Sequence, residues 1–486
     1  MDLTKRFVIE FVLNTTPYQE SILDKRFSIA RKLYNITLNG IKKRVKEMKK
    51  TRRYRDAINN RDENNKLTIE AKDELKRLYK EYRLSKSEFE KDLKKHRKFY
   101  QMHIDSQAGQ QIADRIWGAF EKVEFGDGED MHFKRNRDIK TLQGKCNATG
   151  ITFKNGIVKW NKLLMPVVVE TNYEKDALAN NEISYCMVKR RTLKNKIRYY
   201  AKMVFKGEPP VKYNKYTGEV KTKLGQGRVG LDIGTSTIAI SSNNVVNLKE
   251  LAPSVGKFAA ERRRVQRAMD RSKRATNPNN FNADGTVKTG AKNWNYSKRY
   301  KKLQHRLRYL YSKETNVRDY EHHLLKKYIL SLGDEFYIET MNFDKLKERK
   351  KEDEFTKIGR PKKKKRFGKT IGDRAPAKLM TLLDLTLKLE NKELIKINTY
   401  EARASQFNHI DLTYKKKKLS QRWNTIDGYK VQRDMYSAFL IQHINDDLSS
   451  FNLQECRKDF KNFLRLHELA FVTTIDLNRF YKLRVL

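Results

Sequence analysis

The chain has 486 residues, enough for two to four domains that each bury a core, which excludes a miniprotein stabilised by disulfides or metals. Its 106 Lys and Arg residues outnumber 59 Asp and Glu residues, and the net charge of +47 is spread along the chain, which predicts a polyanionic partner. No apolar stretch approaches the roughly 20 residues of a membrane-spanning helix, no signal-peptide pattern is present, and three distant cysteines argue against a disulfide framework, so we expect a soluble cytoplasmic protein.

The first 125 residues predict one strand followed by a basic helical module. The mostly apolar residues 7–13 predict a strand. We assign residues 1–15 to this first strand segment. Thr16, Pro17 and Gln19 then supply an N-cap, a first-turn proline and a capping box. Apolar residues at three- and four-residue steps from Leu23 to Ile41 predict a core-facing helix stripe, and residues 16–125 are the helical module.

Near residue 150, the spacing of apolar residues changes from the helical period to the two-residue period of strands. Asn155-Gly156 between two short apolar runs predicts a hairpin with a two-residue turn. Further alternating runs extend this into a small β-domain over residues 126–225, which we expect to be a barrel. Strands and helices then alternate over residues 226–486, typical of an α/β domain.

The first candidate for chemistry is an acid within an apolar strand. Asp232 lies in the run Val229–Ser236, and an acid in a strand centre needs a metal or hydrogen bonds to offset desolvation. This pattern is compatible with a nuclease, with the phosphate-binding hairpin of an actin-like sugar kinase, or with a plain strand.

Two further acids follow at strand and helix ends. Glu339 ends the strand Phe336–Glu339, and Asp434 stands in the first turn of an apolar helix, where the helix dipole favours a carboxylate in any protein. Hydrolysis of a phosphodiester with magnesium needs carboxylates from separate elements that converge on two ions roughly 4 Å apart. The three acids together therefore indicate a two-metal nuclease site.

The order of these motifs resembles a known family. Gly230-Leu231-Asp232-Ile233-Gly234, Ile338-Glu339-Thr340-Met341-Asn342 and Arg433-Asp434-Met435-Tyr436-Ser437-Ala438 resemble the split RuvC motifs of the TnpB proteins and the compact type V CRISPR effectors. Ala30–Asn35 resembles the signature of the family's first helix.

The resemblance implies an α+β multidomain protein. Its N-terminal β-barrel, or wedge, carries the inserted helical recognition module, and a split, ribonuclease H-like RuvC domain follows. It further implies that Asp232, Glu339 and Asp434 bind two Mg²⁺ ions and cut double-stranded DNA beside a short flanking motif, directed by a guide RNA of transposon or CRISPR origin. The protein would act as a monomer or a dimer on one RNA.

One feature departs from the family pattern. TnpB proteins usually carry a four-cysteine zinc ribbon between the second and third acids, whereas this chain has no cysteine there. We expect a metal-free target-loading insertion at about residues 400–430, with no zinc.

Several basic residues are candidates for nucleic-acid contacts. Arg52 and Arg53 lie in the helical module, and Lys298, Arg299 and Arg306 lie in a helix that interleaves aromatic and cationic residues. A solvated helix face is the alternative interpretation. Residues 368–370 match the end of the phosphate-binding loop motif, but the first glycine of that motif is absent from this chain. These residues therefore predict a basic loop and no ATP site.

Three rival functions stay open. An RNA-guided DNA-binding protein without cutting would lack the acids, an actin-like kinase would need a second phosphate hairpin, and a DNA transposase would also use three acids on such a fold. The guide class, the flanking motif and the oligomeric state are not encoded in any motif.

Overall fold

The computed structural model describes residues 5–193, 196–214, 216–221, 223–339, 341–348, 367–418 and 420–483, with the side chains of 472–483 excepted. The chain divides into two compact units, residues Met1–Val211 and Lys212–Leu486. None of the helices in the described ranges is both long enough and apolar enough to cross a membrane.

The first unit combines a helical module with an antiparallel sheet. Its elements in chain order are β1 (Arg6–Leu13), α1 (Pro17–Lys50), α2 (Arg52–Asn59), α3 (Ile69–Glu81), α4 (Lys86–Arg97), α5 (Ser106–Glu124), β2 (Thr141–Gln143), β3 (Ile151–Lys154), β4 (Ile157–Trp160), β5 (Leu163–Val168), α6 (Asn172–Asn180), β6 (Ile183–Leu193) and β7 (Lys196–Lys206).

Local sequence signals explain how these elements begin and turn. The Thr16 side chain accepts from the Gln19 amide while the Gln19 side chain accepts from the Thr16 amide, so the predicted capping box is confirmed. Asn155 and Gly156 have φ angles of 49° and 76°, and β3 pairs with β4 across them. Positive φ at both turn residues matches the right-handed strand twist, so the predicted hairpin is confirmed.

The sheet of the first unit is a half-barrel. Its seven strands follow the order β2-β6-β7-β1-β5-β4-β3, which leaves β2 and β3 as edges. The structure thus supports the expected barrel only as a curled half-barrel sheet, because no backbone ladder joins those two strands among the described residues. The buried face of α1, which includes Leu23, Phe27 and Leu38, belongs to the same core as this sheet.

The second unit places helices on both faces of a mixed sheet. Its elements are β8 (Arg228–Ile233), β9 (Thr237–Ser241), β10 (Val246–Glu250), α7 (Ala259–Thr276), α8 (Lys298–Leu330), β11 (Glu335–Glu339), α9 (Phe343–Lys347), α10 (Phe367–Arg374), α11 (Pro376–Leu389), β12 (Leu394–Ile397), α12 (Thr399–Ala402), β13 (Phe407–Asn408), β14 (Thr413–Tyr414), β15 (Trp423–Ile426), β16 (Tyr429–Gln432), α13 (Arg433–Gln442) and α14 (Leu453–Leu483).

The central sheet has the order β10-β9-β8-β11-β12, in which β8, β11 and β12 are parallel and β9 is antiparallel to both neighbours. Leu231 and Ile233 of β8 point to a core shared with α8 and α11. Tyr337 of β11 points to the opposite core, which contains α13 and α14. Because side chains alternate along a strand, Gly230 and Asp232 face α13.

Two details of the second unit bear on the sequence expectations. Residues 368–370 lie in helix α10, so the expected basic loop was wrong. Residues around 400–430 form α12 and two separate two-stranded ladders, β13–β14 and β15–β16, and the second ladder leads directly into α13.

Candidate active site

Two of the three acids lie side by side on neighbouring strands. Asp232 is the fifth residue of β8, and Glu339 is the last residue of β11. The parallel register pairs Leu231 with Ile338, so the next residue on each strand is an acid. Asp232 and Glu339 each follow a residue that faces the α8 side, and both therefore point toward α13.

The third acid reaches them because α13 lies directly on β8. A β-carbon at Gly230 would stand 2.0 Å from the Ala438 carbonyl oxygen and 2.4 Å from the Gln442 amide nitrogen. Asp434 precedes Ala438 by about one helical turn, on the side toward which β8 runs from Gly230 to Asp232. The missing side chain at Gly230 thus allows the close approach that brings Asp434 to the two strand acids.

The electrostatics of the strand acids show that the three carboxylates are close. Burial first, then the charges of Glu339 and Asp434, raise the pKa of Asp232 well above its usual range. The Arg433 charge and the nearby Ser437 hydroxyl act in the opposite direction. Burial, followed by the Asp434 charge, raises the pKa of Glu339 to about 7. Like charges held together in a poorly solvated site destabilise the ionised forms.

Asp434 is held by cations and an amide. Both Nε and Nη2 of Arg433 donate to its Oδ1, at 3.0 and 2.9 Å. The Gln432 side-chain nitrogen donates to Oδ2 at 3.3 Å, and Arg422 of the β15–β16 segment approaches the same oxygen at 3.5 Å. This third carboxylate is therefore partly neutralised by the protein itself.

The start of α13 is fixed by contacts that the sequence did not reveal. Gln432 caps the helix, because its side-chain oxygen accepts from the Met435 amide at 2.7 Å. The Gln432 amide in turn donates to Nε2 of buried His467 on α14 at 2.9 Å. On the next turn, the Tyr436 hydroxyl contacts Nδ1 of His409 at 2.7 Å, which ties the β13–β14 segment to α13. No ligand spacing marks these histidines, so sequence reasoning gave them no role.

The donor set can be tested against a magnesium site. Carboxylate oxygens are the ligands that Mg²⁺ prefers, and a divalent cation would offset the burial and the mutual repulsion that raise the pKa values of Asp232 and Glu339. Within the described ranges, however, no three His, Cys, Asp or Glu side chains are gathered tightly enough to enclose a metal ion. The donor chemistry fits magnesium, and Asp434 is bound to Arg433 in this arrangement.

The candidate nucleic-acid contacts fall into two groups. Lys298 and Arg299 are exposed at the start of α8. Arg53 donates to Glu74 and Glu81 at 2.6 and 2.8 Å, while Arg306 pairs with Glu261 and Arg52 with Asp56. Arg53 and Arg306 pair with acids on a neighbouring helix, and Arg52 pairs with an acid on its own helix. The charge of these arginines is therefore already partly compensated.

A further basic surface was missed by the sequence interpretation. Arg263, Arg264, Arg267 and Arg271 line one open groove along α7 together with Ala260. Their spacing of three, four, seven and eleven residues from Ala260 is the pattern of one helix face, a signal that was available in the sequence.

Comparison with known proteins gives only remote likenesses. No protein-family model and no curated protein sequence matches the chain. A chain in the cryo-EM structure of a Cas12f1–sgRNA–target DNA complex is similar with a TM-score of 0.42 and 9% identity, over 90% of this chain and 99% of that chain. A chain in the cryo-EM structure of a CRISPR-Cas12f ternary complex gives a TM-score of 0.25 and 11% identity, over 87% and 82% of the two chains. At these TM-scores the chain paths correspond only loosely, and the likeness by itself carries no functional argument.

Proposed function

We propose that the protein is an RNA-guided, Mg²⁺-dependent DNA endonuclease with a single RuvC-type site formed by Asp232, Glu339 and Asp434. The observation that supports this proposal is that three acids from a strand centre, a strand end and a helix start influence one another electrostatically. The motif order resembles that of TnpB proteins and compact type V effectors, and the net charge of +47 suits a protein that binds both a guide RNA and its DNA target.

The arrangement of the strands supports a nuclease more than a structural role for the acids. A purely structural carboxylate in this position would be paired with a buried cation or several backbone amides. Burial raises the pKa values of Asp232 and Glu339, and the charges of neighbouring acids raise them further. Retaining two mutually repelling carboxylates has a stability cost, which a catalytic cation would offset.

The protein residues have distinct parts in the proposed reaction. Asp232, Glu339 and Asp434 would hold the two Mg²⁺ ions, which when bound supply an activated water and stabilise the leaving oxygen. Gln432 and His467 fix the start of α13 and thereby the backbone of Asp434. Arg433 and Arg422 partly neutralise Asp434, and their guanidiniums would also be able to contact a DNA phosphate.

The proposal is tested on the complex as the cell makes it. The protein is purified from cells that carry its native flanking DNA, the co-purified RNA is sequenced, and the complex is incubated with Mg²⁺ and double-stranded DNA matched to that RNA, with randomised flanks. We expect a discrete RNA and cutting only of matched DNA beside one flanking motif.

A substitution separates cutting from binding. Asp232→Asn should abolish cutting while RNA and DNA binding persist. Asp384→Asn, which removes the charge of a partly exposed carboxylate paired with Lys388 on α11, is the matched control and should cut normally. Unchanged cutting by Asp232→Asn would refute the site assignment. Absence of bound RNA, or cutting that ignores the guide, would refute RNA guidance and favour a transposase or a general nuclease.

A further inference from the structure

His467 of α14 lies at the junction of three elements in the second unit. Its side chain is buried, and the residue is only 5% exposed. The ring packs against Trp423 of β15, with ring centres 6.0 Å apart, and against Phe471 of its own helix at 5.0 Å. Its Nε2 accepts from the Gln432 amide at 2.9 Å, at the point where β16 passes into α13. A polar side chain that is almost fully buried thus meets the backbone two residues before Asp434.

The Gln432 amide depends on His467 because the hairpin directs this amide away from its own ladder. Trp423 and Gln432 are cross-strand partners, and the next amide, that of Arg433, donates to the Arg422 carbonyl at 2.9 Å. Successive amides of a strand point to opposite sides, so the Gln432 amide points toward α14. A buried donor that has no partner bears a desolvation cost. The His467 nitrogen removes that cost by supplying the acceptor.

The acceptor role fixes the protonation state of His467. The nitrogen that accepts carries no proton, so the imidazole is neutral with its proton on Nδ1. Burial lowers the pKa of His467, although the Glu468 charge acts in the opposite direction, and this favours the neutral form. A phenylalanine here would keep the ring and lose the acceptor, whereas a glutamine would keep an acceptor oxygen and lose the ring. The packing and the hydrogen bond of His467 can therefore be separated by substitution.

Gln432 connects this contact to Asp434. Its side-chain oxygen accepts from the Met435 amide at 2.7 Å, and its side-chain nitrogen donates to Oδ2 of Asp434 at 3.3 Å. Displacement of the amide that His467 holds would therefore move both the cap of α13 and a group that orients the third acid. Misplacement of a reacting group by about 1 Å can reduce a rate by about 100-fold.

The helix that carries His467 is anchored by other contacts as well. Just past the end of α13, Nε2 of His443 contacts Oδ2 of Asp459 on α14 at 3.0 Å. Asn462 of α14 donates to the Asn243 carbonyl in the β9–β10 turn at 2.9 Å. Because these contacts do not involve His467, a substitution of His467 should leave α14 docked and act at the start of α13.

We propose that His467 is a positioning residue for DNA cutting, which acts as a neutral hydrogen-bond acceptor for the Gln432 amide and thereby sets the place of Asp434. The inference rests on the proposed function, because it requires Asp434 to act in cutting. It gives α14, the helix that follows the last of the three acids, a part in the reaction. Loss of the acceptor slows cutting and leaves DNA binding unchanged, because the buried His467 side chain is not accessible to DNA.

The test compares His467→Phe with His467→Gln in the protein purified with its RNA. Guide-matched DNA is cut under single-turnover conditions over a range of complex concentrations, which gives the maximal rate and the concentration at half-maximal rate. His322→Phe is the matched control, because His322 is fully buried and its Nε2 contacts the Arg374 carbonyl on the α8 side of the sheet. Melting curves verify folding, and amide hydrogen exchange of residues 428–436 reports on the Gln432 contact without any cutting.

We expect His467→Phe to lower the maximal rate about tenfold or more, to leave the half-maximal concentration within about twofold, and to speed exchange at the start of α13. His467→Gln and His322→Phe should cut close to the wild-type rate. A purely packing role predicts the reverse order, with the phenylalanine variant faster than the glutamine variant.

Two results overturn the inference and leave the proposed function intact. One is a maximal rate for His467→Phe equal to that of the wild type, and the other is a folded His467→Gln that cuts as slowly as His467→Phe. If His467→Phe does not fold, His467→Gln decides: wild-type exchange and rate support the inference, and slow cutting by the folded variant overturns it. Failure of the wild type to cut DNA overturns both the inference and the proposed function.

Discussion

Gly230 of β8 and Ala438 of α13 are in backbone contact, since a β-carbon at Gly230 would stand 2.0 Å from the Ala438 carbonyl oxygen. The φ of Gly230 is not in the left-handed region, so the requirement for glycine is one of space and not of backbone conformation. The contact determines how closely the helix that carries Asp434 can approach the strand that carries Asp232.

Gly230→Ala should therefore impair the site and the fold together. The new methyl group must displace α13, which we expect to lower the free energy of unfolding by about 1–3 kcal/mol, as for other overpacked cores, and to reduce cutting strongly. Gly256→Ala is the control, because a β-carbon at Gly256 has no atom within 4 Å. Urea denaturation and the cutting assay measure both effects, and a Gly230→Ala variant that matches the control in both would contradict the packing argument.

Removal of Arg262 should be far more costly than removal of an exposed arginine. Its side chain is 10% exposed and that of its partner Glu314 is 6% exposed. Arg262→Ala would leave a buried carboxylate without its cation, at a cost of about 3–5 kcal/mol. Arg306→Ala breaks an exposed pair with Glu261 and should cost less than about 1 kcal/mol. Equal unfolding free energies for the two variants would show that the buried pair does not anchor α7 to α8.

The strand acids should make metal-free stability depend on pH. The pKa of Glu339 is raised from 4.5 to about 7, so between these values the folded state binds more protons than the unfolded state. Stability associated with Glu339 is therefore present below pH 4.5 and is lost as pH rises through 7. The shift corresponds to a difference on the order of 3 kcal/mol.

Magnesium should reverse this loss, because it binds the ionised carboxylates. We expect Mg²⁺ to raise the melting temperature more at pH 8 than at pH 5.5, as measured by thermal denaturation of the protein with and without the ion. Asp232→Asn should weaken that response, since it removes one ligand and one repelling charge. A response to Mg²⁺ that is the same at both pH values would contradict the assignment of these acids.

Arg422 should restrain Asp434 in the absence of substrate. Its guanidinium approaches Asp434 at 3.5 Å from a side chain that is 61% exposed. Arg422→Ala should make Asp434 easier to recruit by a metal and lower the Mg²⁺ concentration required for half-maximal cutting by a few-fold. The control is Arg403→Ala, because Arg403 lies over the Tyr414 ring of β14 and forms no ion pair with Asp434 within the described ranges. A higher Mg²⁺ requirement for Arg422→Ala would instead indicate that Arg422 acts on the DNA phosphate.

Local signals in the sequence were sufficient to predict the secondary structure of much of the chain. The capping box at Thr16 satisfies orphan amides within one helical turn, and Asn155-Gly156 selects its turn by backbone conformation alone, so both could be predicted from a few residues. The apolar alternation of β8 and β11 likewise indicated strands. The catalytic roles of Asp232, Glu339 and Asp434 stay predictions, although their types and order were readable in the sequence.

What only the tertiary structure decided depends on contacts between residues far apart in the chain. No ladder joins the two edges of the first sheet within the residues that the structure describes, and strand periodicity cannot predict this, because closure depends on long-range register and curvature. The approach of α13 to Gly230, the contact of Asp434 with Arg422 and the pairing of Arg262 with Glu314 on α8 all require the folded chain. The sequence by itself determined which residues could carry a charge, form a turn or cap a helix, since those properties are local. Tertiary packing decided which charges meet, since electrostatic energy depends on distance and burial in the folded protein.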